Sequence, residues 1–172
     1  MTTATIDSPR TKRGWSETAK NYWLDVILFV AFVIDMNTRF TGIPIHEWLG
    51  IAFGIALFYH LMLHWVWITT TTKRLFGKLP KMQRARYVIN LALFIDMVVI
   101  VISGIWISEA ALPQLGIPIT PSPYFFEVHH ISSELSVILL GLHLALDWKW
   151  IVTNSKRYLF GLFSRSTKGA AS

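Results

Sequence analysis

Four long apolar segments constrain this chain more than any other feature of its sequence. They cover residues 22–40, 46–68, 88–107 and 129–152. Each is close to the roughly 20 residues that an α-helix needs to cross the apolar core of a bilayer. A backbone in lipid must satisfy its own hydrogen bonds, which only helices and closed barrels achieve. The sequence therefore predicts an all-α membrane protein, a bundle of four transmembrane helices.

Composition and the first residues agree with this prediction. Hydrophobic residues make up 53% of the chain and the mean hydropathy is +0.46. Residues 1–20 are polar and basic and lack the short apolar core of a cleaved signal peptide, so the first apolar segment is interpreted as a retained anchor. We expect one membrane domain over residues 21–160, between a cytoplasmic N-terminal segment (1–20) and a basic cytoplasmic tail (161–172).

Charge predicts the orientation. Residues 69–86 contain six basic side chains and no acid, and both ends of the chain are also basic. The other two connections have Arg39 as their single base. Because cytoplasmic loops carry the excess of Lys and Arg, both termini are predicted to be cytoplasmic in a multi-pass protein of the cell (inner or plasma) membrane. The net charge of +6 then reflects topology and does not indicate nucleic-acid binding.

The second half of the chain repeats the first. One constant offset of 83 residues relates His46, His60, Trp65, Trp67, Ile68, Lys73 and Arg74 to His129, His143, Trp148, Trp150, Ile151, Lys156 and Arg157. The motif Gly-Ile-Pro-Ile also recurs, at residues 42–45 and 116–119. The bundle is therefore predicted to consist of two repeated helix pairs, with the second and fourth spans parallel.

The histidines of this repeat indicate a cofactor. His46 and His60 are fourteen residues apart, as are His129 and His143. Fourteen residues of helix come within roughly 40° of whole turns and cover about 21 Å, so each pair lies near one face at two depths. A histidine in lipid is costly unless it is paired or coordinated. We predict two haems, held by His46 with His129 on the outer side and by His60 with His143 on the inner side.

The cysteine content limits the type of haem. The chain has no cysteine, which excludes disulfides, iron–sulfur ligation and covalent c-type attachment. Both predicted cofactors are therefore non-covalent haem b, with the four histidines as ligands of the haem iron.

Two parallel helices with this histidine spacing resemble the cytochrome b core of quinol–cytochrome c oxidoreductases. The short four-span form, with His-Glu-Trp-Leu-Gly at 46–50 and His-x-x-x-His-Trp at 60–65, resembles flavinylation-associated and related small dihaem cytochromes. The resemblance covers roughly residues 22–160. It implies electron transfer between haems and exchange with quinone or a redox protein partner, as the electron-transfer subunit of an oxidoreductase complex.

Several neighbours of the four histidines have more than one interpretation. His130 is the alternative to His129 as ligand, although only His129 keeps the offset of 83. His130 and Glu134 share a helix face and could accept quinol protons or form a local hydrogen-bonded pair. His64 and its repeat partner Asp147 could contact a haem propionate, relay quinone protons, bind a metal at His-x-x-x-His, or simply be exposed.

Other polar and small residues within the spans also have more than one interpretation. Asp35 and Asp96 both occur within Ile-Asp-Met, and an ionisable residue in lipid suggests a functional role such as proton transfer. Asp96 could instead be protonated or bonded to a neighbouring Ser or Thr. Gly50 and Gly54 form Gly-x-x-x-Gly, which could allow close helix packing or clearance for a haem.

The competing function class is a haem-free transporter or scaffold whose histidines and aspartates serve ion or proton movement. A repeat is compatible with both classes. The spacing of fourteen favours a cytochrome, because a transport pathway does not require two imidazoles per helix at haem-to-haem distance. Motifs for a serine nucleophile, a P-loop or a dinucleotide site are missing from the sequence.

Overall fold

The computed structural model describes residues 16–75, 77 and 79–160, and these residues are helical apart from short connections. The helices are α1 (Glu17–Asp35), α2 (Thr38–Leu63), α3 (Trp65–Arg74), α4 (Lys81–Trp106), α5 (Ala111–Gln114), α6 (Pro123–Leu146) and α7 (Trp148–Ser155), with a π-helical turn at Lys156–Phe160. The described part contains no strand, so the predicted all-α class is confirmed. Most of the predicted N-terminal segment, the basic tail and Lys78 lie outside the described residues.

Three helices are long and apolar enough to cross a membrane, namely α2, α4 and α6. They correspond to the second, third and fourth apolar segments of the sequence. The first segment corresponds to α1, which has 19 residues and also includes Lys20, Asp25 and Asp35. Large apolar side chains such as Phe40, Ile55 and Ile138 are 63–85% exposed, as expected for surfaces that contact lipid.

The helices are arranged as two packed pairs. α1 packs along α2, α4 packs along α6, and a smaller contact joins α2 to α4. Small buried side chains, Ser103, Ser132 and Ser136, allow α4 and α6 to approach closely. By contrast, α2 and α6 make little direct backbone contact, although His46 on α2 and His129 on α6 face each other.

Two of the predicted apolar segments, 46–68 and 129–152, are each divided between two helices near their inner ends. α2 ends before His64 (φ −98°, ψ 6°) and α6 ends before Asp147 (φ −104°, ψ 11°). The next helix starts at once, because the Ile68 and Ile151 N–H groups donate to the carbonyls of His64 and Asp147, both at 3.0 Å. Each break falls where the apolar run meets Trp-x-Trp, a pattern typical of the membrane surface.

The two Gly-Ile-Pro-Ile motifs have one conformation in common. Gly42 has φ 69° and Gly116 has φ 76°, a left-handed region that glycine adopts without steric cost. Gly42 forms a kink near the start of α2, and Pro44 follows within the first turn of the continuing helix, where its missing N–H does no harm. The kink sets the direction of the helix that carries His46 and His60.

A single carboxylate fixes the outer connection after α4. Glu47 accepts hydrogen bonds from the Ser108 hydroxyl at 2.6 Å and from three consecutive backbone N–H groups. Those N–H groups belong to residues 109–111 and are 2.6–3.0 Å from the carboxylate. Since Glu47 follows His46 in the chain, this connection also holds the outer end of α2 in place.

Candidate functional site

The outer pair of predicted ligands lies between α2 and α6. The ring centres of His46 and His129 are 6.1 Å apart, with their planes at 82°. Two imidazoles bound to one metal ion from opposite sides, with metal–nitrogen bonds of about 2 Å, have ring centres about 6 Å apart. The outer pair therefore has the separation that two axial ligands of one iron require.

Hydrogen bonds orient both outer rings. His46 Nδ1 donates to the carbonyl of Asp35 at 3.0 Å, and the Asp35 carboxylate lies at the same distance. His129 Nδ1 donates to the carbonyl of Ile100 at 3.0 Å and lies 3.2 Å from the Ser103 hydroxyl. A carbonyl can only accept, so each Nδ1 carries the hydrogen and each Nε2 keeps a free lone pair.

The inner pair is oriented in a similar way. His143 Nδ1 donates to the Asn90 side-chain oxygen at 2.8 Å. His60 Nδ1 lies 3.0 Å from Asp25 Oδ1, although the angle is too bent for a well-formed hydrogen bond. Asp25 and Asn90 come from α1 and α4, so each inner ring is held by the helix that packs beside it.

Three of the four rings donate a hydrogen bond from Nδ1, and the fourth, His60, has a carboxylate oxygen 3.0 Å from its Nδ1. None of the four has a hydrogen-bond partner at Nε2 among the described residues. This is the usual arrangement of metal-binding histidines, in which an outer partner fixes the tautomer and the ring direction. The donor set suits six-coordinate haem b: His46 and His129 face each other between α2 and α6, and His60 and His143 lie further along the same two helices.

The contacts around the rings recur through the chain. Tyr22 Oη donates to Ser155 Oγ at 3.1 Å and its ring packs against Trp150, whereas the Tyr87 hydroxyl bonds Thr72 Oγ1 at 2.8 Å and its ring packs against Trp67. The two tyrosines, on α1 and α4, are 65 residues apart in the sequence, whereas the residues that they contact, on α3 and α7, are 83 apart. The ring acceptors follow the offset of 65 too, as Asp25 with Asn90 and Asp35 with Ile100.

Sequence reasoning missed Asp25 and Asn90. The signal that could have found them is Tyr-x-x-Asp at 22–25 and Tyr-x-x-Asn at 87–90. It was hidden because the second copy has extra residues in its outer connection, so the first helices of the two pairs do not share the offset of 83. The two Ile-Asp-Met motifs suggested a different alignment.

The structure gives Asp35 and Asp96 different surroundings. Asp35 contacts His46, as described above. Asp96 is 6% exposed in the interface of α4 and α6, where the Ser132 hydroxyl faces it and one carboxylate oxygen has no partner. The shared motif therefore does not mark equivalent positions.

His129 and His130 face opposite ways. His129 faces α4 and His46, whereas His130 is exposed with its ring 5.7 Å from that of Phe126. Glu134 is also exposed, and the structure has no hydrogen bond between these two described side chains. They line an open cleft of about 360 Å³ together with Phe126, Glu127 and Ile131.

His64 and Asp147, equivalent in the repeat, have different partners. The His64 ring lies 4.8 Å from that of His60, and donor atoms of Asp25, His60 and His64 all lie within 4.8 Å of one another. Asp147 instead pairs with Arg86 at 3.1 Å. Arg86 also donates to the Leu146 carbonyl at 2.9 Å, so it closes the inner end of α6.

The glycines near the ligands are packed against protein atoms. A Cβ at Gly50 would lie 3.4 Å from Asp35 Oδ2, and one at Gly54 would lie 3.3 Å from Val101. Gly104, on α4, is the tightest position, since a Cβ there would come within 3.0 Å of the His129 ring. The immediate reason for glycine at these positions is therefore close approach of helices and of His129.

Comparison with known proteins gave one match. The model of a family described as prokaryotic cytochrome b561 matches residues 6–154, which include α1 to α6 and nearly all of α7. Searches of curated proteins and of solved structures gave no match. The match agrees with the sequence-based prediction of a b-type membrane cytochrome and counts against a haem-free transporter or scaffold.

Proposed function

The chain belongs to the prokaryotic cytochrome b561 family, and from this we propose that it binds two haems b between α2 and α6. The family consists of membrane proteins that hold haem b non-covalently and transfer electrons across the membrane. Bound haem supplies a one-electron carrier. The protein supplies fixed ligands, a low-dielectric setting and contact with partners.

The observation that supports two haems is the common arrangement of four histidines. His46 and His129 would hold the outer haem, and His60 and His143 the inner one. Nδ1 of three of them donates a hydrogen bond and Nδ1 of His60 lies 3.0 Å from a carboxylate, which leaves the Nε2 atoms free to bind iron. The fourteen-residue separation within α2 and α6 puts the two levels about 21 Å apart along the helices.

We further propose that α1 is a fourth span and that the bundle is built from two repeated helix pairs, α1 with α2 and α4 with α6. The recurring contacts of Tyr22 and Tyr87 support the repeat. The contact of Asp25 with His60 and of Asp35 with His46 explains why α1 includes acids, since both carboxylates face histidines and not lipid. Both termini are then cytoplasmic, as the charge distribution predicts.

Exchange with the quinone pool is proposed for the inner, cytoplasmic side. His64 and Asp25 beside His60 offer a base and a carboxylate for quinone protons. Asp147, at the same inner end of the bundle, forms an ion pair with Arg86 and is not assigned a role in quinone protonation. His130 and Glu134 are less suited to this role, because they lie on the back of α6 while His129 faces inward. A redox protein would provide or accept electrons at the other end of the path.

A pyridine haemochrome assay on purified protein tests the number of haems. Two haems b per chain are expected, because α2 and α6 each carry two histidines at matching positions of the repeat. A ratio of one would remove one of the proposed sites, and a ratio of zero would contradict the whole proposal.

Alanine substitutions test the assignment of ligands. His60→Ala or His143→Ala should remove the inner low-spin haem and retain the outer one, since helix geometry separates the two levels by about 21 Å. His46→Ala and His129→Ala should do the reverse. His130→Ala is the matched control and should keep both haems in low-temperature optical and EPR spectra; loss of the outer haem in this variant would make His130 the ligand.

Stopped-flow reduction by a quinol analogue tests the quinone site. The wild-type dihaem protein should be reduced rapidly, and His64→Gln should slow reduction at least tenfold while leaving both haem spectra unchanged. His130→Gln should reduce at the wild-type rate. If quinol reduces neither haem but a protein partner does, the chain transfers electrons between subunits and has no quinone site.

A further inference from the structure

Two carboxylates in the membrane helices have no partner within the described part of the chain. Glu127 and Glu134 both lie on α6 and are exposed. Glu17, at the start of α1, pairs with Lys20, and the other acids of these helices contact histidines, loop N–H groups or a serine. Two unpartnered acids on one helix face suggest that something outside the chain contacts this face.

Glu134 lies deep in the membrane, which makes a partner for its carboxylate more necessary. It is the twelfth residue of a 24-residue helix, about 16 Å from the helix start and hence near the bilayer centre. An ionisable residue there is costly in contact with lipid, and such residues normally face protein or a polar cavity. Among the described residues Glu134 has no hydrogen-bond partner, and the cleft that it lines is open to the outside of α6.

The same face of α6 also has a hydrogen-bond donor for Glu134 and, further along the helix, small and apolar residues against which another helix could pack. His130 lies one helical turn before Glu134 and is exposed. One to three turns after Glu134 come Ile138, Gly141 and Ala145, all exposed, and a Cβ at Gly141 would meet no atom within 4 Å. Small residues spaced four apart let two membrane helices approach closely.

We propose that this face of α6, defined by Glu127, His130, Glu134, Ile138 and Gly141, binds the same face of a second copy of the chain. Two copies in one membrane share an orientation, so a two-fold axis along the membrane normal makes two α6 helices parallel. In parallel knobs-into-holes packing, residues one turn apart on facing helices are neighbours. Each His130 then lies beside the Glu134 of the other copy, an isologous contact that satisfies both.

Single-cysteine cross-linking tests the proposal directly, because the chain has no native cysteine. Ile138→Cys, 63% exposed on α6, should form a disulfide-linked dimer when the holoprotein is oxidised in lipid nanodiscs or native membranes. Ile55→Cys, 68% exposed on α2, is the matched control and should stay monomeric on denaturing gels. Equal cross-linking of both, or of neither, would overturn the proposal.

Substitutions test the chemistry of the contact. By native mass spectrometry the wild-type holoprotein should be dimeric. Glu134→Leu and Gly141→Leu should each raise the ratio of monomer to dimer at least tenfold. Glu134→Gln should retain the dimer, because an amide still accepts a hydrogen bond. All variants should keep the wild-type haem spectra, which shows that they are folded.

Other occupants of the face would give different results. A monomeric wild type whose quinol reduction is slowed by Glu134→Gln would indicate a quinone site and overturn the proposal. Disulfide capture of a different membrane protein by Ile138→Cys, without homodimer, would also overturn it. Neither result would bear on the number of haems, which is measured separately.

Discussion

Asp25 and Asn90 occupy equivalent places beside the two inner histidines but differ in charge. Asp25 puts a carboxylate 3.0 Å from His60 Nδ1, whereas Asn90 puts an amide oxygen 2.8 Å from His143 Nδ1. A carboxylate at Nδ1–H increases the electron donation of an imidazole to a metal. It therefore favours the oxidised, more positively charged iron. The inner site has this effect on one ligand only.

Replacing each of these two side chains separately by the other type should shift the midpoint potential of the proposed inner haem in opposite directions. A charged acceptor beside an imidazole N–H exceeds a neutral one by about 1 kcal/mol, or about 40 mV for one electron, and the bent geometry and partial exposure of Asp25 reduce this. Asp25→Asn should therefore raise the midpoint potential by a few tens of mV, and Asn90→Asp should lower it. Spectroelectrochemical titration measures both, and shifts of one sign in the two variants would refute this explanation.

The close approach of His46 and His129 was predictable from sequence, whereas the hydrogen-bond partners of the four histidines were not. A fixed offset links His46 to His129 and His60 to His143 because each pair occupies matching positions of a repeat. The partners belong to the preceding helix, and the extra residues of the second outer connection change the offset there. Arg86 was counted only as a cytoplasmic charge, and its contact with Asp147 depends on the packing of α4 against α6.

Among the helices, α4 has the tightest contact with a predicted ligand. Gly104 leaves room for His129, whose ring is held between the Ile100 carbonyl and the Ser103 hydroxyl of the same helix. An added methyl group would lie 3.0 Å from the ring carbon Cε1. The ring could move away only by losing those two hydrogen bonds.

Gly104→Ala should therefore disturb the outer site while the helix itself remains stable. Alanine favours an α-helix over glycine by about 1 kcal/mol, so the expected defect is local. We expect loss of most of the outer haem, seen as about half of the wild-type haem absorbance per chain. Gly141→Ala, with no neighbour within 4 Å, should keep both haems. Full haem content in Gly104→Ala would show that His129 does not need its observed orientation.

The lengths of the helices were less predictable than their existence. Hydropathy continues through Trp65, Trp67 and Ile68, so a sequence window does not detect the break at His64. Whether a helix bends there depends on backbone hydrogen bonds at the end of an apolar run, which hydropathy does not describe. The equivalent break at Asp147 was missed for the same reason.

At the scale of the whole molecule, charge and apolar surface divide the bundle into layers. The ends of α3, α4 and α7 near residues 73–86 and 149–157 are rich in Lys and Arg. The connection between α4 and α6, which Glu47 holds against α2, has one acid, Glu109, and no base. Between these ends lie the exposed apolar side chains of α2, α4 and α6. This layering is the physical basis for an orientation with the basic end in the cytoplasm.

Thiol labelling of intact cells tests that orientation with two single-cysteine variants. Leu115→Cys lies in the outer connection and is 57% exposed, and Gly77→Cys lies in the basic connection and is also exposed. A membrane-impermeant maleimide should label Leu115→Cys in intact cells and should label Gly77→Cys only after the membrane is opened. The wild type, without cysteine, gives the background signal. Labelling of Gly77→Cys in intact cells would show that the true topology is the reverse of the proposed one. The proposed quinone site beside His60 would then face the outer side.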